Sequence, residues 1–200
     1  MRIVQAFTLQ RSGPDAASGI LDWLLSPYYL RFVRPNDKLV LYTNQKSVEL
    51  LGNLWEFIKD SYDEIHIDLI KDTNGIFSAP KFEAMERELQ THGSDFIIID
   101  NDIYAFNGFL DDLPDYCVYH DDYNLIPWYL SLINNEYAVL EAPDWFTWQS
   151  IPYNCAVIRI NNKELLQEYI SLFYKIKAEK LSKGVLEVAV GKEQWRLGEL

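Results

Sequence analysis

Four consecutive apolar residues, Phe96-Ile97-Ile98-Ile99, end abruptly at two carboxylates spaced one residue apart, Asp100 and Asp102. A short β-branched run without polar alternation fits a strand covered on both faces, not one with a wet side. Such a strand needs layers of structure above and below it. The chain is therefore expected to build a sheet sandwiched between helices. Acidic residues at the C-terminal end of that strand fall on the edge where open α/β sheets bind ligands.

The rest of the chain has to supply those layers. With 200 residues, 48% of them hydrophobic, residues 1–200 read as a single domain with a substantial core. Thirty acidic against 18 basic residues leave a net charge of -12, which repels a phosphate backbone. The nearest approach to a basic cluster, Lys175, Lys177, Lys180 and Lys183, alternates with apolar residues as a solvated helix face does. Nucleic acid is not an expected partner. The opening Met-Arg-Ile-Val-Gln-Ala-Phe is too short an apolar run for a secretory leader, and no stretch approaches the ~18 apolar residues that cross a bilayer, so a cytoplasmic protein without a transmembrane segment is expected. Cys117 and Cys155 each sit in a strand-like run and read as buried thiols, not as a disulfide or metal pair. No CxxC, HExxH, GxSxG, GxGxxG or GxxxxGK[ST] pattern occurs. The commonest zinc, hydrolase, dinucleotide and P-loop readings are thereby removed.

In chain order, Arg2 to Thr8 is a first strand, closed by the turn residues Ser12-Gly-Pro-Asp15. Ile20, Trp23, Leu24, Tyr28 and Leu30 predict a helix from Ser18 to about Phe32, kinked or divided at Pro27. Lys38 to Thr43 is a second strand, and Asn44 to Ser47 opens a helix carrying Val48, Leu50, Leu51, Leu54 and Trp55. Asp63 to Ile70 alternates as a less buried third strand, and Pro80 to Leu89 reads as a helix leading into the Asp95–Ile99 strand. Asp115 to Tyr119 and Tyr153 to Ile160 are further strands. They flank a stretch rich in tryptophan and proline, Asp121 to Tyr153, of the length that in compact domains carries function. Asn161 to Lys183 is an amphipathic helix. Strands alternating with helices predict an α/β fold, a mostly parallel central sheet with helices on both faces.

Residues i and i+2 of a strand share one face with Cα atoms about 6.5 to 7 Å apart, and a turn at the strand end can aim both carboxylates at one divalent cation. Hard oxygen donors suit Mg²⁺ or Mn²⁺ shared with a substrate diphosphate. The competing reading is two solvated loop aspartates. His120 beside Asp121 and Asp122 reads as a solvated strand-end histidine, and His66 and His92 offer only strand and loop positions.

The ordered set of segments resembles a GT-A-type glycosyltransferase, the Rossmann-like fold of nucleotide-sugar enzymes whose Asp-x-Asp motif follows a central strand. Ile3-Val-Gln-Ala-Phe7 and Leu41-Tyr-Thr-Asn44 resemble the first two strands of an uncharacterised bacterial GT-A-like family. Pro80-Lys81 and Asp95 to Tyr104 resemble the segment leading to its metal motif. Tyr153-Asn-Cys-Ala-Val-Ile resembles an Asn-x-Gly strand, with Ala156 where the related strand has glycine. Lys192-Glu-Gln-Trp-Arg-Leu197 resembles the acidic-Gln motif of the retaining galactosyl and glucosyl transferases.

The resemblance implies roles one position at a time. Asp100 and Asp102 would hold Mn²⁺ or Mg²⁺ and, through it, the diphosphate of a UDP- or GDP-linked donor. Lys81 would meet the nucleotide phosphate or ribose; otherwise it is a helix lysine pointing to water. Glu193 and Gln194 would lie beneath the anomeric carbon, the plain alternative being an exposed first turn of a last helix. Phe7, Thr8, Tyr42 and Thr43 would face the base, with core packing as their competing role. Trp145 or Trp148 would stack on the acceptor, and Asp144 is the candidate acceptor base. Many such enzymes add a further metal ligand beyond the acidic-Gln motif. A chain ending at Leu200 then reads as lacking a C-terminal extension, as a minimal enzyme, or as a domain without activity. Two rivals are a degenerate GT-A-like binding or assembly module and an Asp-x-Asp phosphohydrolase, whose motif normally follows the first strand.

Overall fold

A computed structural model of the chain describes residues 1–9, 14–68, 79–104, 108, 110–111, 113–121 and 153–183. These form six strands, β1 (Arg2–Ala6), β2 (Lys38–Tyr42), β3 (Glu64–His66), β4 (Phe96–Ile99), β5 (Tyr116–Asp121) and β6 (Tyr153–Ile160), in one sheet of order β3-β2-β1-β4-β6-β5. The first four run parallel; β6 lies antiparallel between β4 and β5. Among the described residues, five helices cover the sheet: α1 (Pro14–Val33), α2 (Gln45–Leu51), α3 (Leu54–Lys59), α4 (Ala79–His92) and α5 (Lys163–Lys183). The architecture is mixed α/β, mostly parallel, with helices on both faces.

The uninterrupted apolar run of β4 is explained by its two-sided burial. Phe96 and Ile98 join Val4, Val40 and Tyr42 beneath Phe82 and Met85 of α4 and Tyr169 and Phe173 of α5. Ile97 and Ile99 join Ile3, Leu39 and Leu41 against Trp23 and Leu30 of α1 and Ile58 of α3. Successive residues of a strand feed opposite layers, so a strand with helices on both sides has no solvent-facing position that calls for a polar residue. Each fully buried side chain of this size contributes roughly 1.5–3 kcal/mol.

Several expected boundaries move. The predicted helix from Ser18 is one helix beginning at Pro14 that continues through Pro27. The helix expected after Asn44 is two: Asn44 caps α2 by accepting the Ser47 N–H at 2.8 Å, and Gly52, at φ +53°, turns the chain before α3. That left-handed conformation suits glycine and ends a helix. β3 is three residues long, with a lone bridge between Asn44 and Asp68 continuing its edge. His120 and Asp121 belong to β5, past a register shift after Val118, and are not loop residues. The register sets Cys117 opposite Arg159, not opposite Cys155. Residues 122–152, with Trp128, Asp144, Trp145 and Trp148, and residues 184–200, with Glu193 and Gln194, lie outside the described residues.

Candidate functional site

β4 lies in the interior of the sheet, between β1 and the antiparallel β6. The strand stops at Ile99, and the chain turns at once: the Ile103 N–H donates to the Asp100 carbonyl at 3.3 Å, closing a four-residue turn over Asp100-Asn101-Asp102-Ile103. The Asp100 N–H is still in the sheet, donating to the Ala156 carbonyl of β6 at 2.7 Å. Asp100 is therefore fixed like a strand residue, whereas Asp102 is carried on the turn and is exposed. The two acids are related by a turn and not by strand alternation.

Period two continued one step past Ile99 puts Asp100 on the face that α4 covers. There it meets Lys81, whose Nζ lies 2.7 Å from Asp100 Oδ1. The helix lysine does not point to open water: 12% of its side chain is exposed, against 37% for Asp100. Burial pushes the Asp100 carboxyl above its ordinary range; Lys81 opposes that shift and the Asp102 charge adds to it. A negative charge packed among protein atoms beside a second carboxylate draws a cation, and the ammonium supplies one. Between the two acids, Asn101 is buried, and neither polar atom of its amide has a hydrogen-bond partner among the described residues.

The turn is held from the other face as well. Buried Gln5 of β1 accepts from the Tyr62 hydroxyl at 2.7 Å and donates to Ser26 Oγ at 3.0 Å. Ser26 in turn donates to the Ile103 carbonyl at 3.1 Å, and the Tyr104 hydroxyl donates to Asp22 Oδ1 at 2.8 Å. Two residues of α1 thus anchor the chain immediately after Asp102.

The ends of β1 and β2 complete this edge. The Phe7 N–H donates to the Tyr42 carbonyl at 2.9 Å and the Leu9 N–H to Ser47 Oγ at 2.8 Å, which lays Thr8 along the end of β2. Phe7 packs on Trp23, with ring centroids 4.2 Å apart. Tyr42 turns inward, stacking on His66 at 4.4 Å and donating to buried Glu88 at 2.9 Å. Thr43 is wholly buried, and its Oγ1 has no partner among the described residues. The structure therefore brings Asp100, Asp102 and Lys81 together, with Thr8 and Thr43 at neighbouring strand ends.

Glu88 is the residue the sequence reading passes over. Its carboxylate is completely buried and accepts two hydrogen bonds from Arg2, both at 2.8 Å, besides the one from Tyr42. A signal exists: Phe82, Met85 and Glu88 follow a helical period, which puts Glu88 on the inner face of α4, where a carboxylate requires a cation.

Among solved structures, 26 chains resemble this one. One, an active-site mutant of LgtC, a GT-A glycosyltransferase, aligns over 98% of this chain and 70% of its own, with a TM-score of 0.52 and 12% identity. At that identity the likeness shows a GT-A-like fold. No protein-family model and no curated protein sequence matches the chain.

Proposed function

We propose that this protein is a glycosyltransferase that binds a nucleotide-diphosphate sugar at the C-terminal edge of its sheet, together with Mn²⁺ or Mg²⁺, and passes the sugar to an acceptor. The observation that carries this reading is the placement of Asp100 within a GT-A-like fold: fixed at the end of an interior strand, followed by an exposed Asp102, and paired with Lys81 at 2.7 Å. Two carboxylates on one anchored turn are hard oxygen donors suited to either cation. The ammonium already drawn to Asp100 marks the spot as one that favours positive charge.

Asp100 and Asp102 would hold the ion. Among the described residues no three of His, Cys, Asp and Glu cluster as a metal site. The remaining positions on the ion would fall to the donor diphosphate, to water, or to residues outside the described set. When bound, the ion would neutralise charge on the departing diphosphate as a Lewis acid. Lys81 would add a second positive charge beside the same phosphates, and Thr8 would border the nucleoside, whereas Thr43, expected to face the base, is wholly buried and packs in the core instead. Glu193 and Gln194 are proposed for the sugar and Asp144 for the acceptor.

Titration calorimetry with UDP and GDP, with and without Mn²⁺, tests the reading. Metal-dependent binding is expected for one of them, weakened about 100-fold, or about 2.8 kcal/mol, in Asp100→Ala and Asp102→Ala. Binding that ignores both the metal and the two substitutions would sink the proposal. Metal-dependent binding without sugar transfer to any acceptor, or to water, would instead favour a non-catalytic GT-A-like module.

A further inference from the structure

Over its described side chains, Gly19 to Val33, the outer side of α1 carries no exposed charged residue. Between Gly19 and Val33 every exposed position is apolar: Leu21, Leu25, Tyr28 and Phe32, the last 83% exposed. Their spacing of four, three and four residues is that of the seam by which two helices pack together. The inner side of the same helix, through Trp23 and Leu30, is committed to the core. A second exposed row, Leu50, Leu54 and Phe57, lies on α2 and α3 on the same side of the sheet, where α1 packs against α3.

We infer that this surface is where two copies of the chain pair, with α1 of one against α1 of the other in antiparallel orientation about a two-fold axis. Three arguments select a second copy. The seam is symmetric end to end, so reversal matches Leu21 with Phe32 and Leu25 with Tyr28, as a self-complementary interface requires. Charge along the helix is polarised, with Asp22 toward its start and Arg31 toward its end. Antiparallel pairing sets acid beside base and opposes the helix dipoles; parallel pairing stacks like charges. Finally, at about 100 Å² for each half-exposed large side chain, the two rows offer roughly 700 Å², close to the about 800 Å² per partner of a standard interface. A membrane surface is the poorer occupant, because a chain of net charge -12 is repelled by anionic lipid.

Sedimentation velocity on the full chain over a concentration series tests the pairing. The expected mass is twice 23.4 kDa, falling to 23.4 kDa in Leu25→Glu/Phe32→Glu with the circular dichroism spectrum retained, and staying doubled in Lys175→Glu on the opposite face. Wild-type protein that stays at 23.4 kDa throughout, including protein that floats with phosphatidylcholine vesicles as a monomer, overturns the inference. A doubly substituted chain that still dimerises also overturns it. Should the glutamates prevent folding, oxidising a mixture of Leu25→Cys and Tyr28→Cys chains decides the matter. A disulfide-linked pair absent from the wild-type blank, which carries Cys117 and Cys155, is expected, and its absence counts against the pairing.

Discussion

Glu64 sits where two cations and an imidazole converge: Arg2 at 3.2 Å, Lys38 at 2.5 Å and His66 at 2.7 Å. Burial alone would raise its pKa, but hydrogen bonds from Lys38, Arg2 and His66 outweigh that and hold it at about 2, against an ordinary 4.5. A depressed carboxylate stabilises the fold above its unfolded pKa, and that contribution drains away as pH falls through the folded value. Glu64→Gln should cost about 2 kcal/mol at neutral pH, allowing for a partly open side chain. The gap from wild type should close between pH 4.5 and about 2. Urea unfolding across that window is the measurement, and a pH-independent gap would contradict the assignment. Nothing in the alternation of Asp63 to Ile70 announces this role, because its three partners come from β1, β2 and two residues along β3.

At the level of elements, α1 both covers the sheet and fixes the acidic turn. Ser26 is the joint: it accepts from Gln5 and donates to the Ile103 carbonyl. Ser26→Ala leaves the Gln5 amide and the Ile103 carbonyl short of partners, which costs about 1–3 kcal/mol. Hydrogen exchange of the Ile103 amide, whose bond to Asp100 closes the turn, should quicken by more than that of the β4 amides. Equal changes in both would show that Ser26 supports the core and not the turn. The helix itself is legible from Ile20, Trp23 and Leu30. Its continuity through Pro27 is not, since proline costs a hydrogen bond locally and only the packing on both sides of it decides whether the helix survives.

Across the whole molecule, Arg2 and Glu88 join the first strand to α4, and Tyr42 adds β2 to the same carboxylate. Glu88 is fully buried and Arg2 largely so, and removing the carboxylate strands most of the guanidinium's charge. Glu88→Ala should therefore lose about 3–5 kcal/mol in denaturant unfolding. A loss below about 1 kcal/mol would mean that Arg2 finds other partners, Glu64 being the nearest to hand. Only part of this organisation was legible in one dimension. By itself the sequence determined the α/β class with helices on both faces of the sheet, the central buried strand, the carboxylates at its end and the Asn44 cap. Each of these follows from the period of apolar residues and from local hydrogen-bonding chemistry, which act over a few positions of the chain. Tertiary structure alone decided that Lys81 meets Asp100, that Thr43 is sealed inside, that β6 runs against its neighbours, and that Glu88 is a buried anion with three donors around it. Those are contacts between residues tens of positions apart, and their free energies arise from desolvation and charge once the layers have closed.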